Sequence, residues 1–151
     1  MPLKEQLSTD LKDAMRAGDE VRKSTLRMLM SAINTAEVAG SERHELSDDQ
    51  VMQVIVKQVK QRKESIEEFG KAGRQDLVDK ETAEMRVLQT YMPEQMGRAE
   101  IEAEVRKAMQ ETGATTAADK GKLMKVLMPR LSGKAEGREI NAVVTELLSG
   151  G

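Results

Sequence analysis

The scarcity of aromatic side chains is the feature that most limits what this chain can fold into. Among its 151 residues, Phe69 and Tyr91 are the only aromatic ones, Trp is absent and Met occurs 11 times. Sheet sandwiches and barrels draw on aromatic and β-branched residues, whereas Leu, Met, Ala, Glu, Lys, Gln and Arg favour helices. The composition therefore predicts an all-α fold whose core is filled by aliphatic residues and methionine.

Apolar spacing, capping residues and glycines predict seven helices. The first carries an apolar residue at every fourth position and ends at Gly18: Leu3, Leu7, Leu11 and Met15. Ser47 and Gln50 match the capping box that begins a long third helix. Five methionines lie near or on faces that the pattern predicts to be buried, so we expect them to fill cores: Met15, Met28, Met85, Met109 and Met128.

Pro93 marks the predicted boundary between two parts of the chain. It disfavours helical geometry at Met92, and four predicted helices precede it while three follow. We therefore predict an N-terminal four-helix subdomain, residues 1–92, and a smaller C-terminal three-helix bundle, residues 93–151. Because Tyr91 stands beside the boundary, we expect its ring to pack between the two parts.

The residues provide no recognisable catalytic or metal-binding arrangement. The chain has no Cys, and its single histidine, His44, lies in the polar segment SERHEL, which is typical of an exposed loop. Walker A, G-x-G-x-x-G and G-x-S-x-G motifs are absent. A polar set on the third and fourth helices is expected to form structural ion pairs: Arg62, Ser65, Arg74, Asp76, Glu81 and Glu84. We predict no catalytic residue, no metal and no cofactor.

The sequence also predicts a cytoplasmic protein that makes no membrane contact. No apolar run approaches the roughly 18 residues that a membrane span needs. The first twenty residues contain several acids, unlike a signal or transit peptide: Glu5, Asp10, Asp13, Asp19 and Glu20.

A basic stretch covers residues 119–139, where six cations face three carboxylates although the whole chain has a net charge of −2. The candidate contacts are its cations and glycines: Lys120, Gly121, Lys122, Lys125, Gly133, Lys134 and Arg138. Lysine and arginine neutralise phosphates, and glycine lets a backbone approach them closely. A solvated helix face is the alternative interpretation. Because single-strand readers stack bases on aromatic rings, this chain could recognise only the shape and backbone of folded RNA.

Four segments of the sequence resemble the YqeY family of small helical proteins. They are LKDAMRAGDEVRKSTLRMLMSAINTAE, RKESIEEFGKAGRQDLVDKETAEM, YMPEQM and DKGKLMKVLMPRLSGKAEGREIN. Together they span nearly the whole chain. Met92 replaces the leucine that the family commonly has in the Y-L-P-x-Q element, which conserves volume.

The resemblance implies an all-helical fold and a relation to the C-terminal tail of GatB, a subunit of tRNA-dependent amidotransferases. In GatB the tail helps to hold the tRNA, and the matching positions fall inside the basic stretch: Gly121, Lys122, Met124, Gly133, Lys134 and Ala135. The family label, carbon–nitrogen ligase with glutamine as amido-N-donor, would belong to the parent enzyme. We therefore expect a non-catalytic module with tRNA as its partner. The alternative is an adaptor that docks amidotransferase or synthetase subunits without contacting RNA.

Overall fold

Capping side chains and left-handed glycines set the ends of the helices. Asp19 accepts a hydrogen bond from the Arg22 backbone N–H at 3.1 Å, and Ser47 and Gln50 form the predicted reciprocal capping box. The first and fifth helices end at Gly18 and Gly113, whose φ angles are 70° and 73°. Such angles are strained for residues with a Cβ, which explains why glycine stands at these ends.

The computed structural model describes residues 2–149, and these form seven α-helices and no strand. The helices are α1 (Leu3–Ala17), α2 (Glu20–Val38), α3 (Asp48–Lys71), α4 (Gln75–Gln89), α5 (Arg98–Thr112), α6 (Lys120–Leu131) and α7 (Gly137–Ser149). One 3₁₀ turn, Ala117–Asp119, precedes α6. The all-α fold, with four helices followed by three, is confirmed. None of the described helices is long and apolar enough to cross a membrane.

The chain folds as two units, Met1–Met92 and Pro93–Gly151. The first unit has an aliphatic core of Leu7, Leu26, Leu29, Ile33, Val51, Ile55, Val59 and Leu88. The second has its own core, supplied by α5, α6, α7 and Ala114: Ile101, Val105, Ala108, Ala114, Leu123, Leu127, Leu131, Ile140, Val143, Val144 and Leu148. Each unit therefore buries its apolar faces within itself.

The methionines do not fill the cores as predicted. Met15, Met28 and Met128 are 50%, 52% and 43% exposed, while Met85 and Met109 are half-buried beside the two cores. The prediction was wrong for Met15, Met28 and Met128. Apolar spacing shows that a residue lies on or near the apolar face of its helix, but it does not show how much of that face the neighbouring helix covers.

Buried charges connect the helices of the first unit. Glu37, at the end of α2, is fully buried and accepts hydrogen bonds from Lys4 Nζ at 2.8 and 2.9 Å and from the Leu46 N–H at 3.2 Å. The lysine and then the backbone N–H lower the pKa of the Glu37 carboxyl. One carboxylate thus ties α1 and the connector before α3 to α2.

Five members of the predicted polar set of α3 and α4 form two ion-paired groups, and Ser65 belongs to neither. Buried Arg62 donates from Nη1 to Glu81 at 3.0 Å and to buried Glu84. Arg74 instead pairs with its near neighbour Asp76 on the exposed surface. The first group joins two helices, as expected of a structural ion-pair network, whereas the second is local.

Tyr91 is anchored within the first unit. Its ring is half-buried against the first core, and its hydroxyl donates to Asp10 Oδ2 at 2.6 Å. Its packing between the two parts of the chain stays a prediction. Burial, followed by the hydrogen bond and negative charge of Asp10, raises the pKa of Tyr91 to about 12.

We predict that Tyr91 ionises about two units higher in the folded protein than in the denatured one, where a tyrosine pKa is about 10. The folded state binds the Tyr91 proton more tightly than the denatured state, so this proton stabilises the fold. Its contribution to the free energy of unfolding is complete below about pH 10 and is lost as the pH rises towards 12. Tyrosinate absorbance reports this group alone, since the chain has one Tyr and no Trp. Tyr91→Phe should remove this part of the alkaline loss of stability. Equal midpoints of the tyrosinate absorbance titration in the absence and in the presence of denaturant would contradict the assignment.

Candidate nucleic-acid interface

The leucine stripe of α6 decides which side chains of the basic stretch face water. Leu123, Leu127 and Leu131 are almost fully buried in the second core. Since a helix turns 100° per residue, Gly121 and Lys125 then lie on the outward face, and both are exposed. Burial of the stripe thus presents a glycine and a lysine to solvent on neighbouring turns.

Several cations of the stretch have no partner in the part of the chain that the structure describes. Among residues 2–149, no hydrogen bond or ion pair engages the side chains of Lys120, Lys125, Lys134 and Arg138. Lys120 is half-buried and the other three are exposed. Arg130 differs because it pairs with Glu111 of α5. Four charges of one sign are thus available to a ligand.

Lys122 has a structural partner that the sequence did not reveal. Its ammonium group donates to the carbonyl oxygen of Thr112, the last residue of α5, at 2.8 Å. A lysine at this place satisfies a carbonyl that has no partner within its own helix and complements the negative end of the helix dipole. Lys122 therefore links the start of α6 to the end of α5, although its side chain remains exposed.

Gly133 also has a structural explanation. It is buried, its φ is 78°, and its carbonyl accepts from Gln95 Nε2 at 2.7 Å. The next carbonyl, that of Lys134, accepts from the Met96 N–H at 2.8 Å. The turn after α6 is thus held by the segment before α5, with the Lys134 side chain exposed, and the buried Gly133 backbone is not at the surface that a phosphate would reach.

The charges at the start of α6 are unusual for a helix. Acidic residues are favoured in the first turn because that end of a helix is partially positive. The first turn of α6 has none and contains Lys120 and Lys122, whereas the first turn of α7 contains Glu139 beside Arg138. At the start of α6 the helix dipole and the two lysines therefore contribute to the same positive potential, which favours an anion.

Asp119 is the acid that begins this region, and its carboxylate is used locally. It accepts from the backbone N–H groups of Thr115 and Thr116 at 3.0 and 3.2 Å. These bonds, and then the nearby charge of Lys122, lower the pKa of Asp119. The carboxylate therefore closes the turn before α6.

Pro129 removes one hydrogen bond from α6. It lies inside the helix and has no N–H, so the carbonyl of Lys125 lacks its usual donor four residues later. The proline ring crowds the same carbonyl. The exposed Lys125 therefore offers a ligand its ammonium group rather than this carbonyl.

The remaining candidates give no alternative chemistry. His44 is exposed in the connector before α3, as predicted. Within residues 2–149, no group of three or more His, Cys, Asp or Glu side chains is arranged to hold a metal ion. The basic surface of the second unit is therefore the site with the clearest chemical character.

Fold and surface together define a two-unit helical protein whose second unit, a three-helix bundle, carries a basic surface. A sequence profile of one such class, described as "Yqey-like protein", matches residues 4–148. The chain belongs to this family.

Relatives in three fungi are similar along much of the chain, and each is named "Altered inheritance of mitochondria protein 41, mitochondrial". The protein of Lachancea thermotolerans is 37% identical over 70% of this chain and 57% of its own length. The corresponding values are 35%, 89% and 74% for Pyrenophora tritici-repentis, and 34%, 85% and 70% for Saccharomyces cerevisiae strain YJM789. The chain thus spans only about half of some relatives. The names place these relatives in mitochondria, and a cytoplasmic location for this chain stays a prediction.

We predict that Lys122→Met lowers the free energy of unfolding by about 1 kcal/mol, because the Thr112 carbonyl loses its charged donor. Lys125→Met should change stability by less than about 0.5 kcal/mol, since its side chain has no partner among the described residues. Denaturant titration of the two variants measures the difference. Equal stability of both would show that the Lys122 contact does not support the fold.

Proposed function

We propose that the chain is a non-catalytic module that binds folded tRNA through phosphate contacts made by its second unit. The observation that carries the proposal is the set of four cations, defined above, that have no partner among residues 2–149 and lie along α6 and in the turn that leads into α7. Family membership supports it through the relation to the GatB tail that the sequence resemblance implies. The proposed contacts are the side chains of Lys120, Lys125, Lys134 and Arg138, with Gly121 allowing close approach.

The proposal modifies the set of residues that the sequence suggested. Lys122 holds the end of α5 and Gly133 forms a buried turn, so both support the surface and leave the contacts to their neighbours. Such a surface favours folded RNA over single strands, because neither Phe69 nor Tyr91 belongs to the second unit.

Binding should depend steeply on salt. Each phosphate contact releases counterions and adds about 0.7 to 0.9 to the slope of log affinity against log salt concentration. We predict that replacing Lys125, Lys134 and Arg138 together by Gln lowers this slope by about 2 to 3 and weakens tRNA binding at low salt. Filter binding of unfractionated tRNA across a salt series measures both quantities.

The matched control replaces three exposed cations of the first unit by Gln: Lys12, Lys57 and Lys60. It changes the net charge by the same amount, so it should keep the slope if the second unit makes the contacts. Absence of tRNA binding at low salt would refute the proposal, and so would equal flattening of the slope in both triple variants. An assay of glutamine-dependent amide transfer by the protein alone should give no product.

Gly121→Ala separates the proposed role of this glycine from a structural one. An added Cβ would meet no atom within 4 Å, and alanine is the better helix former by about 1 kcal/mol. We therefore predict that the variant is more stable by up to about 1 kcal/mol yet binds tRNA more weakly, because the methyl group keeps the backbone from the phosphate. Greater stability with unchanged affinity would restrict the contacts to the cationic side chains.

A further inference from the structure

We propose that Met128 makes an apolar contact of the RNA-binding surface and packs against riboses in the minor groove of a double-stranded RNA segment. Met128 lies in α6 and is 43% exposed. The inference rests on the proposed function and deepens it, because it names the part of a folded RNA that this surface fits.

Met128 lies on the same side of α6 as two of the proposed contacts. Gly121, Lys125 and Met128 are separated by four and then three residues, and such positions line one face of a helix. At about 1.5 Å per residue, the three positions span about 10 Å along the helix axis. The glycine, the cation and the methionine can therefore contact one ligand together.

Gly137, the first residue of α7, leaves space for the methionine. A Cβ added at this glycine would lie 3.3 Å from Met128 Cε, which is closer than such contacts usually are. The backbone of Gly137 is helical, so a positive φ does not explain the glycine. Single exposed apolar side chains are common on protein surfaces, but this one has a defined place against α7, next to the turn that carries Arg138.

The charges near Met128 favour an anionic ligand. Lys125 of its own helix and Arg138 of α7 have no partner among residues 2–149. Glu136, which precedes α7, adds one negative charge. Glu139 lies about 200° around α7 from the glycine under Met128 and lines a groove that α7 forms with the start of α5. It therefore faces away from the methionine, and cations exceed carboxylates at this place.

The minor groove of double-stranded RNA fits these properties. That groove is wide and shallow, and it displays riboses and their 2′-hydroxyls between two rows of phosphates. Lysine and arginine can pair with the phosphates while the methionine contacts ribose carbons. The minor groove of B-DNA is about 6 Å wide, too narrow for a helix with a diameter of about 10 to 12 Å.

A membrane surface fits less well than an RNA duplex. Helices that lie in a membrane surface bury a whole apolar face of large residues. Among the described residues of α6, Met128 is the one large hydrophobic side chain that is exposed. The anion is therefore a nucleic-acid backbone in this proposal, and a lipid surface is an outcome that the test must separate from it.

The first test labels the methionine methyl groups of the full chain and follows them by NMR. The ligands are an RNA hairpin, a DNA hairpin of the same sequence, a single-stranded RNA and phosphatidylglycerol vesicles. Met128→Gln identifies the Met128 resonance, and we expect the RNA hairpin to shift it further than the other ligands do. Equal shifts with all three nucleic acids would overturn the proposal, and so would a change with vesicles alone.

The second test compares the tRNA affinity of Met128→Gln with that of Met15→Gln, which removes a 50% exposed methionine from the first unit. Burial of about half a methionine side chain corresponds to about fivefold in affinity, so Met128→Gln should weaken binding by about that factor. The slope of log affinity against log salt concentration should not change, because no charge is removed. Met15→Gln should alter neither quantity.

The outcomes separate this inference from the proposed function. Unchanged affinity of Met128→Gln would overturn the inference, while flattening of the salt slope by the cation replacements would still support the proposed function. Absence of tRNA binding by the unaltered protein would refute both. Equal weakening by Met15→Gln would also overturn the inference, because the effect would then not belong to the basic surface.

Discussion

Burial of aliphatic side chains in two separate cores is the constraint on which the rest of the structure depends. A fully buried leucine contributes about 1.5 to 3 kcal/mol, whereas an exposed ion pair contributes about 0 to 1 kcal/mol. The leucines at 123, 127 and 131 therefore outweigh the charges around them in fixing the rotation of α6. The cations of that helix occupy the remaining surface, because the repulsion between them costs less free energy than burial of the leucines contributes.

Buried charges contribute specificity in the first unit. Arg62 meets two carboxylates of α4, and removing one partner of a buried pair typically costs about 3 to 5 kcal/mol. Glu37, near the C-terminal end of α2, is also buried and accepts hydrogen bonds from Lys4 and the Leu46 N–H. Aliphatic contacts tolerate sliding of one helix along another, but these charges have partners in one register only. The second unit has no buried charged side chain among its described residues and depends on apolar packing and the turn bonds of residues 95 and 96.

Local signals predicted most of the fold. The capping box at Ser47, the glycine after α5 and the leucine spacing of α6 each act within a few residues, so the sequence shows them directly. Exposure of Met28 and the contact from Lys122 to Thr112 depend on where a second helix lies, and no periodicity contains that information. For the same reason the sequence did not show that Lys122 donates to the end of α5 or that Gly133 forms a buried turn, and the proposed role of the basic stretch stays a prediction.

The second unit shows why net charge is a poor guide to partners. Residues 93–151 contain nine cations and nine carboxylates. Some of these carboxylates are used within the unit, since Asp119 closes the turn before α6 and Glu111 pairs with Arg130. Four cations have no partner among the described residues: Lys120, Lys125, Lys134 and Arg138. At physiological salt a charge acts over about 8 Å, so a ligand beside one of these cations meets a positive charge although the unit as a whole is neutral.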